Sequence, residues 1–164
     1  MRGRKIPVST LIPASEWLYD YYGKMGYVPV FDYTLEHYTI LDKPVADHFR
    51  VEAIREVGLL TDDLFNYFQS MMRLRPCCVQ HEREDFEVIV ESLRMDGGAL
   101  IVVYSDKNIV GMAFAEPREN HALVLDGMHD SEDVKRVALW GVMKYLDAAE
   151  IYCRVLPAGK ADEH

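Results

Sequence analysis

The stretch Ser15-Glu16-Trp17-Leu18-Tyr19-Asp20-Tyr21-Tyr22-Gly23-Lys24-Met25-Gly26-Tyr27 decides the fold predicted for this chain. Its apolar residues recur at i, i+3, i+4 and i+7, the spacing of one helix face: Leu18, Tyr21, Tyr22 and Met25. Ser15 is a suitable N-cap residue, and Gly26 stands where a left-handed residue ends many helices. The stretch therefore predicts a short amphipathic helix.

Apolar and β-branched residues on both sides of this helix predict two strands. Residues 6–12 form a short buried strand that ends at Pro13, and residues 28–38 form a longer one. Pro29 keeps the start of the second strand out of the interior of a sheet, because proline has no backbone N–H to donate. The predicted unit is strand, short helix, strand.

The segment Tyr22-Gly23-Lys24-Met25-Gly26-Tyr27 resembles the Tyr-x-Lys-x-Gly-Phe/Tyr signature of GCN5-related N-acetyltransferases. Residues 9–33 are similar to the same region of the enhanced-intracellular-survival branch, whose members carry two acetyltransferase-like lobes in tandem. The resemblance implies that Tyr22 is catalytic and protonates the thiolate of coenzyme A as it leaves. A phenol with a pKa near ~10 is a suitable general acid at neutral pH. Tyr22 as a buried packing residue remains the alternative at this stage.

The chain from residue 49 onward has the order of elements found at the front of an acetyltransferase lobe. We predict a strand at 49–57, a helix capped by Thr61 and ended by Pro76, and a second helix at about 83–95. Strands follow at 99–104, 109–115 and 121–128, then a helix capped by Ser131 that reaches about residue 147, and a last strand at 151–156. The predicted fold class is α+β, a mixed and mostly antiparallel sheet flanked by helices. Residues 1–44 would be the end of a first lobe, 45–157 a second lobe and 158–164 a loose tail.

A phosphate-binding loop is not recognisable ahead of the helix at Ser131. The family holds the pyrophosphate of acetyl-CoA on backbone N–H groups at a helix N-terminus, through an Arg/Gln-x-x-Gly-x-Gly/Ala loop. This chain has Asp126-Gly127-Met128-His129-Asp130-Ser131-Glu132-Asp133 there, whose carboxylates would repel a pyrophosphate. The segment 55–60 matches the pattern only loosely. We therefore assign no residue to cofactor binding, and expect the loop of the first lobe to lie upstream of Met1 and this fragment to be inactive alone.

Composition excludes several functional classes. The 164 residues are 49% hydrophobic and 27% charged, as in a globular protein, and no stretch is long enough to span a membrane. The net charge of -9 argues against nucleic-acid binding. It suits a cationic amine substrate, although acidic surfaces also serve solubility alone. Three cysteines do not form a disulfide framework, so we expect a cytoplasmic protein.

The remaining candidates each have a structural interpretation that we favour. Cys77, Cys78 and His81 suggest a thiolate nucleophile or half a zinc site, but their spacing is more typical of structural cysteines. His121 and His129 could ligate a metal with Asp130, yet solvated loop residues are the better interpretation, so we predict no metal.

The leading function is part of an N-acetyltransferase that uses acetyl-CoA and acts on an amine of a small molecule or peptide. The alternative is a non-catalytic scaffold or substrate-binding module. A severed lobe exposes an apolar face and an open edge strand, so we also expect a homo-oligomer.

Overall fold

A computed structural model of the chain describes residues 15–29, 34–39, 48–75 and 78–155. The chain divides into two compact units, Met1–Asp32 and Tyr33–His164. The predicted strand at 6–12 and the tail at 158–164 lie outside the described residues, as do Pro76 and Cys77. The assignment of 1–44 and 45–157 to two lobes stays a prediction.

The first unit contains the predicted amphipathic helix, α1, at Trp17–Lys24. Gly26 has φ of +89°, so the left-handed ending is confirmed. The prediction that Ser15 is the N-cap is wrong, because Glu16 takes that position with helical angles and without a side-chain cap. Ser15 contributes only its carbonyl, which accepts the N–H of Leu18 at 3.1 Å. No residue of α1 is buried, and Met25 is 63% exposed.

The second unit is built on one six-stranded sheet. Its strands are β1 (Thr34–Thr39), β2 (Phe49–Ile54), β3 (Ala99–Ser105), β4 (Asn108–Pro117), β5 (Ala122–His129) and β6 (Glu150–Val155). Their order across the sheet is β1-β6-β5-β4-β3-β2. Every neighbouring pair is antiparallel except β5 and β6, which run parallel. The predicted fold class is confirmed.

Three helices flank this sheet: α2 (Asp62–Arg73), α3 (Arg83–Met95) and α4 (Glu132–Leu146). Both predicted caps are confirmed, since Thr61 Oγ1 accepts the N–H of Leu64 at 3.4 Å and Ser131 Oγ accepts that of Val134 at 3.3 Å. The helix α3 spans the predicted residues, and Glu82 with Asp85 forms a capping box at its start. A short 3-10 helix at Val57–Leu59 follows β2.

Two apolar layers hold the second unit together. On one face α4 packs against β3, β4, β5 and β6 through small and branched side chains: Ile101, Val103, Ala113, Val137, Val142 and Ile151. On the other face α2 and α3 pack against β2 to β5 through larger ones: Leu64, Phe68, Phe86, Leu100, Met112 and Phe114. Full burial of one such side chain contributes about 1.5–3 kcal/mol. The sheet is therefore a rigid frame between two helical layers.

Candidate functional site

The parallel strands β5 and β6 separate part of the way along their length. Their pairing covers only Ala122–Val124 against Ile151–Cys153. Beyond this point β5 continues to His129 and keeps its pairing with β4, while β6 continues to Val155 and keeps its pairing with β1. The sheet therefore opens between the carboxyl ends of two neighbouring strands.

A β-bulge lies at the point of separation. The register of β4 with β5 passes from Ala115 opposite Val124 to Phe114 opposite Asp126, so Leu125 is the extra residue. A bulge leaves one residue out of the ladder and bends its strand. This bend turns the remainder of β5 away from β6.

Asp126, the residue after the bulge, is held by Arg75 from the end of α2. The two terminal nitrogens of Arg75 lie 2.7 Å from the two oxygens of Asp126, and one of them also donates to the carbonyl of Gly127 at 3.0 Å. Partial burial works to lower the pKa of Arg75, but the hydrogen bonds and charge of Asp126 raise it. The sequence-based view of Asp126 as a repelling loop carboxylate is thus wrong, because its charge is paired on the α2 face.

Several backbone N–H groups near the start of α4 already have hydrogen-bond partners. The N–H of Asp130 donates to the carbonyl of Val110 at 3.0 Å, and that of Lys135 donates to the carbonyl of Ser131 at 3.0 Å. The N–H of Val134 is taken by the Ser131 hydroxyl. Carboxylates occupy the first turn of α4, at Glu132 and Asp133. The carboxylates of Glu132 and Asp133 at this helix N-terminus would repel a pyrophosphate, and the N–H groups of Asp130 and Val134 already have partners.

Tyr67 on α2 fixes this loop from the side. Its hydroxyl lies 2.8 Å from the carbonyl of Val110 and 2.9 Å from Oδ1 of Asp130. Burial, together with the carboxylate of Asp130, raises the pKa of the Tyr67 phenol. The Tyr67 phenol therefore stays protonated at neutral pH, and it can donate a hydrogen bond to the loop before α4.

The last residue of β5 before this loop is His129, whose pKa is lowered by burial and by the charge of Lys135.

An ion-paired cluster links β1 to α4 on the opposite face. Lys135 Nζ lies 2.9 Å from Glu36 Oε2, and the Tyr38 hydroxyl donates to the same oxygen at 2.5 Å. The hydrogen bonds from Tyr38 and Lys135 lower the pKa of Glu36. Burial, and then the carboxylate of Glu36, raises the pKa of Tyr38.

Cys153 on β6 stands opposite Glu36 in the strand register, and burial raises the pKa of its thiol to about 12. Cys153 is therefore a protonated core residue.

Tyr22, the predicted catalytic residue, is half-buried in α1. Its ring makes edge contacts with those of Tyr21 and Tyr27, at centroid distances of 5.3 and 5.7 Å. Its carbonyl accepts the N–H of Tyr27 at 3.1 Å, which closes the end of the helix. The catalytic role of Tyr22 stays a prediction.

The other sequence candidates make structural contacts. Cys78 Sγ donates to the carbonyl of Met72 at 3.4 Å. The ring of His81 lies 5.9 Å from that of Phe68, and His121 makes an edge contact with Tyr152. Arg55, from the loose phosphate-loop match, donates to the carbonyl of Tyr145 at the end of α4. Within the described residues, no three His, Cys, Asp or Glu side chains form a group that could hold a metal ion.

Three residues organise this region: Arg75, which the sequence favoured as part of a surface cluster with Arg73 and Arg83, and Tyr67 and Lys135, which sequence reasoning missed. Their partners lie 51, 63 and 99 positions away in the chain, so no local pattern marks them.

Comparison with known proteins identifies the fold. No protein-family model and no curated protein matches the sequence. A GCN5-related N-acetyltransferase from Sphaerobacter thermophilus has a similar solved structure, with 15% identity and a TM-score of 0.55 over 92% of this chain and 50% of that one. So has a functionally unknown conserved protein from Staphylococcus epidermidis, with 13% identity and a TM-score of 0.52 over 93% of this chain and 61% of that one.

The chain therefore has a fold like that of the GCN5-related N-acetyltransferases, which confirms the predicted resemblance at the level of the fold. It spans between half and about three-fifths of the length of these two structures. The tandem-lobe branch stays a prediction. Among the described residues, no helix is both long and apolar enough to cross a bilayer.

Proposed function

We propose that this chain is part of an N-acetyltransferase of the tandem-lobe kind, which transfers acetyl from acetyl-CoA to an amine of a small molecule or peptide. The observation that carries the proposal is the separation of β5 from β6 beside the bulge at Leu125, in an acetyltransferase-like fold. In this proposal the opening is a feature of the acetyltransferase-like lobe, and acetyl-CoA itself is bound by the parent protein.

Tyr22 is the general acid in this proposal. Its phenol lies on a helix without buried residues, so the group is not sealed inside apolar side chains. A phenol is one of the side-chain groups that can serve as a general acid toward a leaving thiolate. The acidic composition, with a net charge of -9, favours the approach of a cationic amine.

In this proposal acetyl-CoA is bound by a longer parent protein and not at the N-terminus of α4. The N–H groups of Asp130 and Val134 are already bonded there, and Glu132 and Asp133 add negative charge. The share of the solved structures that the chain spans supports a parent of greater length. We expect the isolated chain to lack activity.

Two experiments test these statements. Titration calorimetry of this chain with acetyl-CoA should show no saturable binding, and micromolar affinity would contradict the assignment of the site to the parent. In the parent, Tyr22→Phe should lower kcat at least ~10-fold with little change in KM, because one general acid typically contributes 10²–10⁴-fold. Tyr19→Phe, on the same helix and 46% exposed, is the matched control and should leave turnover unchanged.

The second candidate is a non-catalytic scaffold or substrate-binding module. The carboxylates of Glu132 and Asp133 at the start of α4, together with the occupied N–H groups of Asp130 and Val134, favour it, because a working lobe binds an anion at that point. Unchanged turnover of the Tyr22→Phe parent would support this candidate and remove the catalytic residue from the first.

A further inference from the structure

The strand β2 forms the edge of the sheet farther from the separation of β5 and β6. It pairs with β3 along its whole length, from Phe49 opposite Ser105 to Ile54 opposite Leu100. Among the described residues, no strand pairs with its other side. An edge strand of this kind presents main-chain N–H and C=O groups to a further strand.

The helix α4 holds β2 in an extended form. A Cβ atom at Gly141 would lie 2.6 Å from Val51 Cγ1, so the helix rests directly on the strand. The hydroxyl of Tyr145 donates to the carbonyl of Val51 at 2.9 Å, which leaves the second lone pair of that oxygen for another donor. Arg55 donates to the carbonyl of Tyr145 at 2.9 Å. Because β2 is already ordered, a partner strand binds without the cost of ordering it.

The two faces of β2 differ in chemistry. The face toward α4 carries three half-buried apolar side chains: Phe49, Val51 and Ala53. The side chains of a strand alternate between faces, so Arg50 and Glu52 share the other face. Their side chains are 54% and 46% exposed, and they form an ion pair within the strand. The strand therefore presents opposite charges two positions apart.

This pattern is complementary to itself in one antiparallel register. A two-fold axis at Val51 brings Arg50 of each copy opposite Glu52 of the other. The same axis brings the large side chain of Phe49 opposite the small one of Ala53. An axis at Arg50 or at Glu52 would instead place like charges opposite each other, which is destabilising. The charges of β2 thus select the axis at Val51.

The opposite edge of the sheet, β1, lacks this complementarity. The strand Thr34–Thr39 contains no Lys or Arg. An axis at Glu36 would place two carboxylates opposite each other, and an axis at His37 would place Glu36 opposite Tyr38. The carboxylate of Glu36 is already bonded to Lys135 of α4. Of the two edges, β2 is therefore the one suited to a second copy.

We propose that two copies of this chain associate through their β2 strands, which pair antiparallel around a two-fold axis at Val51. The two six-stranded sheets then form one continuous sheet. Arg50 of each copy exchanges its partner in the same strand for Glu52 of the other copy. Main-chain hydrogen bonds and the apolar face supply the affinity, while the charges fix the register. The proposal concerns assembly and is independent of the proposed acetyl transfer.

Charge reversal tests the register. We expect light scattering of the wild-type chain at micromolar concentration to give twice the chain mass of 18.9 kDa. Arg50→Glu alone and Glu52→Arg alone should each be monomeric, because each places like charges across the axis. An equimolar mixture of the two variants should give a dimer, since a strand with two carboxylates then faces a strand with two cations. The variant that combines both substitutions should dimerise like the wild type.

The mixture separates pairing between copies from a loss of folding. Each single variant also loses the ion pair within its own strand, and mixing cannot restore that pair. Arg94→Glu, which disrupts an exposed pair with Glu91 on α3, is the control and should leave the mass of the dimer unchanged. A monomeric wild type, a single variant that dimerises like the wild type, or a mixture that stays monomeric would each overturn the proposal.

Cross-linking tests the position of the axis. Facing Cα atoms of an antiparallel pair are about 4.5–5.5 Å apart, within the range of a disulfide. In a background with Cys77→Ser and Cys78→Ser, a mixture of Arg50→Cys and Glu52→Cys chains should give a covalent dimer on oxidation. Either chain alone should not, because its two thiols are then offset by two residues. A dimer that this mixture does not link, but that Leu35→Cys on β1 does, would place the interface at the other edge and refute the proposal.

Discussion

Arg75 and Asp126 form a two-pronged ion pair, with both nitrogen–oxygen distances at 2.7 Å. The pair joins the end of α2 to β5 just beyond the bulge at Leu125, across 51 positions of sequence. It also fixes the backbone through the carbonyl of Gly127. The position of β5 where it separates from β6 therefore depends on the side chain of Arg75, which comes from the helical layer formed by α2 and α3.

Loss of either partner should destabilise the second unit. The side chains of Arg75 and Asp126 are only 23% and 32% exposed, so each single variant leaves a partly buried charge unpaired. We expect Arg75→Met and Asp126→Asn each to lower the free energy of unfolding by about 2 kcal/mol, measured by urea denaturation. The double variant should lose less than the sum, which shows direct coupling.

The control for this pair is Arg94→Met, whose partner Glu91 lies on the same exposed surface of α3. Water screens that ion pair, so the urea midpoint should stay close to that of the wild type. If Arg75→Met and Arg94→Met lowered the free energy of unfolding equally, the ion pair between Arg75 and Asp126 would have no special role.

The ionisation of Glu36 should make stability depend on pH. Hydrogen bonds from Tyr38 and then Lys135 lower the pKa of this carboxyl in the folded state below its ordinary 4.5. The unfolded state then binds the proton first as pH falls. The stabilisation is complete above about pH 4.5 and is lost as pH falls through the folded pKa.

Unfolding of Glu36→Gln measured from pH 7 to pH 3 checks this sign. The wild type should be more stable at pH 7, by less than about 1 kcal/mol because the Glu36 side chain is 42% exposed, and the difference should shrink below pH 4.5. Glu119→Gln in the β4–β5 turn is the control and should follow the wild-type curve. A difference that grows on acidification would refute the assignment.

Local signals in the sequence were sufficient for most of the elements. Thr61 and Ser131 were recognised as caps because both residue types are favoured at helix starts, and Asp62 and Asp63 supported the first of them. The prediction of Ser15 as the N-cap was wrong because the helix starts one residue later. Capping preference alone does not resolve an offset of one residue. The fold class followed from the order of these elements.

Non-local features could not be read from the sequence. The pairing of β1 with β6 joins residues more than 110 positions apart, as in His37 with Glu150. The bulge at Leu125 depends on the registers of two neighbouring strands, which apolar periodicity does not specify. Asp126 lies inside the strand predicted at 121–128, but its carboxylate was counted with the acidic segment ahead of α4, because its ion pair with Arg75 could not be seen in the sequence.

Gly98 should tolerate no side chain. A Cβ atom there would clash with the carbonyl oxygen of Ala115 and lie 3.1 Å from Glu116 Cα, both of them backbone atoms of β4. Backbone cannot move aside as a side-chain end can, so Gly98→Ala should cost about 1–3 kcal/mol or more in urea denaturation. Gly58→Ala has nothing within 4 Å and should be close to neutral. Equal stability of the two variants would disprove the close approach.

The two described cysteines should differ in reactivity. Cys153 is 5% exposed, and burial raises its pKa to about 12, so only about one thiol in 10⁴ is ionised at pH 8. Cys78 is partly exposed. In a Cys77→Ser background a disulfide reagent should modify one thiol rapidly and the second only on unfolding. Adding Cys78→Ser should remove the fast phase, and a fast phase that persists would place Cys153 at the surface.

Tyr67→Phe should loosen the loop before α4 without disturbing the core. The substitution removes the hydroxyl that contacts Val110 and Asp130 but keeps the ring packed on the sheet. Loss of one such hydrogen bond costs about 1 kcal/mol. Tyr145→Phe is the matched control, because its hydroxyl donates to the carbonyl of Val51 at a similar 2.9 Å elsewhere in the fold.

Amide hydrogen exchange separates a local effect of Tyr67→Phe from a global one. The N–H of Asp130 donates to the carbonyl of Val110, the same group that the Tyr67 hydroxyl contacts. In Tyr67→Phe this amide should exchange at least ~5-fold faster under native conditions, because about 1 kcal/mol of local support is lost. In Tyr145→Phe its rate should change only as much as those of the core amides. If both variants accelerate Asp130 equally, Tyr67 supports the whole unit rather than the loop, and the loop is held by its backbone bonds alone.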